Sequence, residues 1–412
     1  MRVLLATDHY PPSIGGAQIQ SRLLGRELGR RGHEVAVATV WQNDEPELED
    51  DGGVQVHRLR QLRTLPFLAR SGRHHQPPFA DPVTVRALRR LIREFEPDVV
   101  HSYGWFSYSC AAALAGHDVP LLITARDFAY SCANRTLMQG DRECSGPGPA
   151  KCVACAGRFY GAPKGWVAAA GVLASRPLLR RRVDAVHSIS AFVREIVRRD
   201  FLDGQGPDTL DVVIHDAVAP PEDGGAALRA RLDELPSEPF LLFVGALRRV
   251  KGVYELLEAY EQLSDPPPLV LLGTYEDDSP TAFPPGVLVL DDFPHDAVLE
   301  ACERCLFGVM PSLWPEPLGT VVAEVMSRGR PVIGTRPGGH EDMIVHGETG
   351  LLVPRGDVPA LVQAMRTLLE DAELRARMGE AASVKAAEFE PAVTASQIEQ
   401  VYEELRRRRR RR

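Results

Sequence analysis

The 412-residue chain is predicted to fold as two α/β domains, each built on a doubly wound parallel sheet, and three observations carry that expectation. Short β-branched and leucine runs alternate with helical patterns along nearly the whole length. The alternation breaks once, at a stretch over 220–239 rich in Pro, Gly and charge, and then restarts. At roughly 100–200 residues per domain, the length itself favours two domains.

The first run, Val3–Ala6, leads through a Pro/Gly loop to a helical pattern over Gln18–Gly29 and a second strand at Glu34–Val40. Further strand-like runs lie at Val54–Leu59, Asp98–Ser102, Leu121–Thr124, Ala185–Ser188 and Val212–His215, with helical stretches such as Val83–Phe95 and Ala191–Phe201 between them. After the linker come strand Phe240–Val244, helix Gly252–Leu263, strands Leu269–Leu272 and Val287–Leu290, helix Asp296–Cys305 and strand Phe307–Met310. Helix Thr320–Arg328, strands Pro331–Gly334 and Gly350–Val353, and helices beyond Asp357 complete the second half. The expected organisation is a first domain over 1–219, a second over 220–390, and a helix over 391–405 that crosses back to the first. A disordered arginine tail is expected over 406–412. The segment Gln61–Asp81 shows no periodicity and is longer than a compact domain usually leaves unstructured without a function. Sheets of this kind bind ligands beyond their C-terminal strand ends, so the cleft where two such domains face each other is the expected site.

Composition is that of a globular protein, with 44% apolar and 25% charged residues. The chain carries 48 basic against 56 acidic side chains, a net −8; without Arg406–Arg412 the count is 41 against 56, a net −15. That balance argues against nucleic acid as a partner. The longest apolar-leaning stretch, Trp166–Ala174, is nine residues where a bilayer-crossing helix needs about 20. Asp8 comes too soon after Met1 for a secretory apolar region. Together with seven cysteines this gives the expectation of a cytoplasmic protein, with peripheral contact at the inner face of the cell membrane as its one membrane option.

Three loops carry candidate chemistry. Ser13-Ile14-Gly15-Gly16-Ala17-Gln18 lies between the first strand and helix; its glycines either bring backbone N–H groups to an anion or make a tight turn. It is not GxGxxG, which weakens a dinucleotide reading. Val244 to Gly252 holds the same position in the second domain, with Lys251, one of four lysines, just before a helix start, where a compact ammonium suits a diphosphate. The third is Trp314-Pro315-Glu316-Pro317-Leu318-Gly319-Thr320-Val321-Val322-Ala323-Glu324: a loop, then a helix whose first N–H groups can take phosphate oxygens. Glu316 and Glu324 can meet opposite ends of one ligand, and lying on one side of it they are not the flanking pair of a glycosidase. Pro337-Gly338-Gly339-His340-Glu341 adds another glycine turn at a strand end.

The order and spacing of these loops, followed by Gly347-Glu348-Thr349-Gly350-Leu351-Leu352-Val353, closely resemble glycosyltransferase family 4, the retaining group 1 enzymes of the GT-B fold. The resemblance runs from Met1 to about Tyr402 and implies two Rossmann-like domains facing across a cleft. It implies transfer of a sugar from a nucleotide-diphosphate sugar, of UDP or GDP type, to an acceptor hydroxyl on a polysaccharide, glycolipid or small metabolite. By resemblance Glu324 binds ribose hydroxyls, Glu316 the donor sugar and Lys251 the diphosphate, with Leu318, Gly319 and Thr320 around the donor and Gly16 beside the diphosphate. No catalytic metal is implied. Two positions depart from the family: Ala246 stands where Arg is usual, with Arg248 or Arg249 as substitutes, and Arg126-Asp127 replaces His-Asp. Arg126 is then expected to contact donor or acceptor, and it cannot serve as a base. His101 and Asp127 are expected on the acceptor side, or His101 is a satisfied strand-end histidine. A nucleotide-sugar epimerase and a nucleotide-binding protein without turnover are the alternatives.

Cys132, Cys144, Cys152 and Cys155 fall within 24 residues in a Gly/Pro-rich insertion over 126–160, and their closing C-x₂-C suits a tetrahedral ion. The expectation is structural zinc, ahead of an iron–sulfur cluster. A subset of the family resembles the chain here. Cys302 and Cys305 form a second C-x₂-C explained by one face of a buried helix. Pro163–Val183 mixes Trp166, Val167, Val172, Leu173, Leu178 and Leu179 with four arginines, a pattern that either rests on anionic lipid or packs on the first sheet.

Overall fold

Apolar runs become parallel strands in both halves of the chain, and the helices between them cover the sheets. The computed structural model describes all residues except 13–15, 43–44, 65–74, 141, 205–207, 222–230 and 412; the side chain of residue 17 is likewise left aside. The chain divides into one unit of Met1–Ala217 with Pro391–Arg412 and a second of Val218–Glu390.

In the first unit the strands are β1 (Arg2–Thr7), β2 (Glu34–Val40), β3 (Leu48–Asp50), β4 (Gln55–Leu59), β5 (Val99–Tyr103), β6 (Leu121–Ala125), β7 (Met138–Gln139), β8 (Arg142–Glu143), β9 (Ala185–Ser188) and β10 (Leu210–Val213). Its helices are α1 (Gly16–Arg30), α2 (Pro82–Phe95), α3 (Phe106–Ala113), α4 (Pro149–Tyr160), α5 (Ala162–Arg182) and α6 (Ala191–Val197). The sheet runs β10-β9-β6-β5-β1-β2-β4-β3 and is parallel except for β3, while β7 and β8 form a separate hairpin. Helix α2 shows how local chemistry sets an element. Asp81 Oδ1 accepts from the backbone N–H groups of Val83 and Thr84, and Pro82 opens the first turn.

The second unit has β11 (Leu241–Val244), β12 (Leu269–Leu272), β13 (Val287–Leu290), β14 (Phe307–Met310), β15 (Val332–Arg336) and β16 (Gly350–Pro354). Its helices are α7 (Val253–Glu261), α8 (His295–Arg304), α9 (Thr320–Ser327), α10 (His340–Met343), α11 (Val358–Glu370) and α12 (Ala372–Ala386). All pairs in the sheet β13-β12-β11-β14-β15-β16 are parallel. Each sheet changes direction of growth once, between β1 and β5 in the first unit and between β11 and β14 in the second. Those switch points are where sheets of this class leave a crevice for ligands.

Helix α13 (Pro391–Arg410) belongs to the first unit. Ala395, Ile398, Val401, Tyr402 and Leu405 join Leu24 and Leu28 of α1 and Val3, Leu5, Val35 and Val37 of the sheet in one apolar core. The arginine run corrects an expectation: it is helical through Arg410 rather than disordered. Opposite charge explains this. Arg409 pairs with Asp118 and Asp184, Arg408 with Glu404, and Arg406 with Asp98. Of the aperiodic 61–81 segment, Leu62–Thr64 form a 3₁₀ turn and Asp81 caps α2; its centre lies outside the described residues.

Candidate functional site

Three neighbouring strands of the second unit, β11, β14 and β15, end in loops that lock together. Gly252 sits at φ +76°, and a Cβ there would stand 1.9 Å from the Pro311 carbonyl oxygen, so only glycine lets the first two loops touch. The backbone N–H of Leu313 donates to the Val250 carbonyl at 2.9 Å. Gly339 N–H donates to the Glu316 carbonyl at 2.7 Å, which ties the third loop to the second.

Glu316 is the centre of this arrangement. Its Oε2 accepts from Lys251 Nζ at 2.8 Å, Trp314 Nε1 at 2.6 Å and Ser312 Oγ at 3.0 Å. Lys251 also lies 5.1 Å from the centre of the Trp314 ring. Burial alone would raise the Glu316 carboxyl, but Lys251, His340 and the Trp314 bond bring it below its ordinary value. The buried carboxylate therefore stays charged, with its other oxygen outside these three bonds. His340 accepts the Thr335 N–H on Nδ1 at 3.1 Å, and burial pushes its pKa down to about 4. It is neutral, with its proton on Nε2, and a Cβ on Gly319 would come within 2.8 Å of that nitrogen.

Gly319, at φ +82°, opens α9 with no side-chain cap, and its first-turn amides are the kind that receive an anion. Leu318 is buried and Thr320 half-buried. On the same helix Glu324 is buried, with Oε1 3.2 Å from His295 Nε2. Lys251, Glu316, Leu318, Gly319 and Thr320 are thus brought together, with Glu324 one turn along. Arg248, on the loop after β11, pairs through its Nε with Asp278 at 3.0 Å. Ser312, Trp314, His295 and His340 had no assigned role from sequence. Trp314 and Ser312 precede Glu316 by two and four positions, a signal within reach of inspection; His295 and His340 are joined to the site only by the fold.

In the first unit, Gly16 is the first residue of α1, and Ser13 to Gly15 lie outside the described residues. Arg126 follows β6; its Nε pairs with Asp216 at 3.1 Å, its Nη1 reaches Ser21 Oγ at 3.3 Å, and it stacks 4.3 Å from the Tyr103 ring centre. Asp127 accepts from Arg135 and from the Ala129 N–H. Beside them Asp8, just past β1, is buried with neither carboxylate oxygen hydrogen-bonded among the described residues, and burial raises its pKa to about 7 against the pull of Arg135. His101 corrects a second expectation. It is fully buried in the core rather than lining an acceptor surface, because α13 returns over the strand end. Tyr402 O–H donates to His101 Nδ1 at 2.6 Å, and His101 Nε2 donates to Thr124 Oγ1 at 2.5 Å. The Thr124 hydroxyl donates to His187 Nδ1, and His187 Nε2 to the Ile214 carbonyl.

The four clustered cysteines line one cavity with Asn134 and Met138, and all are free thiols. Asn134 Nδ2 donates to Cys155 Sγ and Gly148 N–H to Cys152 Sγ. Among the described residues, however, no three His, Cys, Asp or Glu side chains are placed to hold a metal ion. Cys302 and Cys305 are buried at the end of α8, as a structural helix face predicts.

The family described as Glycosyl transferases group 1 matches residues 226–385, and the Glycosyl transferase 4-like domain matches residues 15–210. A glycogen synthase of Mycobacterium tuberculosis is 27% identical over 98% of this chain and 94% of its own length. Among solved structures, the sucrose-phosphate synthase of Thermosynechococcus elongatus superposes with a TM-score of 0.74 at 21% identity, covering 98% of both chains. HepE of Anabaena, solved in complex with UDP-glucose, reaches 0.66 at 17% identity, covering 98% of this chain and 100% of its own. With both matched domains in order and this fold in each half, the chain belongs to the group 1 glycosyltransferases and has the GT-B fold.

Proposed function

We propose that the protein transfers a sugar, with retention, from a nucleotide-diphosphate sugar to an acceptor hydroxyl, and that the second unit holds the donor. The observation that carries this reading is the buried, ionised Glu316 carboxylate beside an ammonium and an uncapped helix start. In this reading Lys251 and the first amides of α9 face the diphosphate. As the glycosidic bond breaks, charge grows on that group, and fixed dipoles with one cation stabilise it without reorganising. Glu316 Oε1 accepts a hydroxyl of the donor sugar while Oε2 stays committed to Lys251, Trp314 and Ser312. Glu324 accepts the ribose hydroxyls, and His295 orients it. The first unit carries the acceptor near Arg126 and Asp127. Support for the ligand class comes from HepE, solved with UDP-glucose, and from an Arabidopsis starch synthase solved with ADP.

Calorimetric titration with UDP, GDP and ADP, beside Glu324→Ala, tests the reading. One nucleotide is expected to bind in the micromolar range, and the variant to lose at least tenfold in affinity. If folded protein binds none of the three, the donor reading fails. If donor turnover releases nucleotide without a new glycoside, the reaction is epimerisation rather than transfer.

A further inference from the structure

Between Glu143 and Asp184 the chain runs for 40 residues without one acidic side chain, while holding Lys151, Arg158, Lys164, Arg176, Arg180, Arg181 and Arg182. In a protein with 56 acids this window is an electrostatic exception, and it coincides with the helical hairpin α4–α5. The two helices pack tightly: a Cβ on Gly165 would stand 2.1 Å from the Ala156 carbonyl oxygen. On its inner face α5 buries Ala168, Ala169, Val172 and Leu179, and Gly171 meets Pro78 and Phe79.

The outer face of α5 is the anomaly. Trp166 is 53% exposed, Val167 57% and Leu178 68%, with Ala170, Ala174 and Pro177 exposed between them. Only Lys164 and Arg181, at the two ends, bring polarity to that exposed stripe. On the neighbouring helix Phe159 is 53% exposed next to exposed Arg158. A helix apolar all round is normally enclosed, whereas this one has an uncovered side. Arg176, Arg180 and Arg182 bond to backbone carbonyls or to Asp184, whereas Arg158, Lys164 and Arg181 have no carboxylate partner among the described residues. At the far end of α5, Arg180, Arg181, Arg182 and Arg409 line one cavity, so the basic zone runs on into the arginine tail.

We propose that the outer face of α4–α5 is a contact surface for an anionic phospholipid bilayer. Trp166, Val167, Leu178 and Phe159 enter the boundary between headgroups and acyl chains, and the unpaired cations meet the headgroup phosphates. The helix lies on the surface, since among the described residues no helix is long and apolar enough to cross a membrane. The absence of acids matters because a carboxylate at that boundary would be repelled by the same headgroups. This inference does not depend on the donor reading.

Co-sedimentation of the full chain with vesicles tests it, comparing pure phosphatidylcholine with phosphatidylcholine containing about one third phosphatidylglycerol. Binding is expected to the mixed vesicles only, and to weaken at high salt. Val167→Glu with Leu178→Glu, both exposed, should reduce binding at least tenfold with the circular dichroism melt unchanged. Leu48→Glu, an exposed apolar site elsewhere on the first unit, should not. Charge reversal at Arg158, Lys164 and Arg181 keeps the apolar face and should abolish the preference for anionic lipid, which tests the electrostatic part if the glutamate pair folds poorly. Failure to sediment with anionic vesicles at low salt overturns the proposal, as does equal binding by both sets of variants. So does a lipid-free dimer, seen by analytical ultracentrifugation, that the glutamate pair dissociates; the face would then belong to a second copy.

Discussion

Lys251 Nζ donates to Glu316 Oε2 at 2.8 Å, joining two residues 65 positions apart in the sequence. The pair links the loop after β11 to the loop after β14, on either side of the switch point of the second sheet. It also explains how a carboxylate with a 10% exposed side chain stays ionised. Lys251, 29% exposed, remains open to a ligand on its other side.

Removing one partner should therefore harm both stability and rate. Lys251→Met leaves a nearly buried charge without its cation, and the expected cost is about 1–3 kcal/mol, less than for a fully buried pair because the lysine is partly solvated. Glu316→Gln keeps the shape and should cost less stability, yet transfer in both variants should fall by roughly two orders of magnitude. The double variant separates the roles: its melting temperature should recover part of the Lys251→Met loss while its rate stays low. Recovery of rate together with stability would show the pair to be structural.

Acid should weaken the fold through two buried histidines. Burial holds both His340 and His187 at about 4, below the ordinary 6.5. A histidine with a depressed folded pKa contributes stability that is complete above 6.5 and is lost as pH falls towards 4. Each contributes of the order of 3 kcal/mol across that window. Urea unfolding between pH 7 and pH 4.5 checks this, and His340→Gln should flatten the decline. A decline that His340→Gln leaves unaltered would contradict it.

How much was legible beforehand differs between these groups for physical reasons. Glu316, Gly319, Thr320 and Glu324 share one loop and helix start, so local spacing was enough to read them. Lys251 was visible as a cation at a strand-to-helix turn, but its partner was not, because nothing local joins two residues so far apart. His101 looked the same from sequence whether its strand end faced a ligand or the core. Only the return of α13, which brings Tyr402 to its ring, decided the matter. The arginine run was readable as charge alone, since Asp118 and Asp184 lie more than 200 positions earlier. Periodicity found the longer strands to within a residue or two, while β3 and the β7–β8 hairpin, two or three residues each, were too short to leave a pattern.

Asp8 works against the histidines. Burial raises it from 3.8 to about 7, so the folded protein binds this proton more tightly than the unfolded chain. Its contribution is present below pH 4 and is lost as pH rises to 7. Asp8→Asn removes that term and should leave the protein more stable at pH 8, by roughly 2–4 kcal/mol if Arg135 keeps its pairing with Asp127. The same variant should show a steeper loss in acid, because the histidine term is then unopposed. A variant less stable than the parent at pH 8 would mean that the Asp8 charge is compensated in the fold.

The end of α13 offers the smallest expected effect and the most specific one. Arg409 binds Asp184 with two hydrogen bonds, and Asp184 also accepts from Arg182 and from the backbone N–H of Leu121. Arg409→Ala leaves Asp184 with those two partners, so the loss should be about 1 kcal/mol, near the upper range for a partly exposed pair. Salt should shrink the difference between parent and variant, since Arg409 is 22% and Asp118 78% exposed. Asp118→Ala alone should cost almost nothing, its carboxylate being solvated. Removing residues 406–412 should then cost little more than Arg409→Ala, because the apolar contacts of α13 end at Leu405. A much larger loss on truncation, measured by thermal unfolding at low and high salt, would mean that the arginine run supports the helix itself rather than only pinning its end.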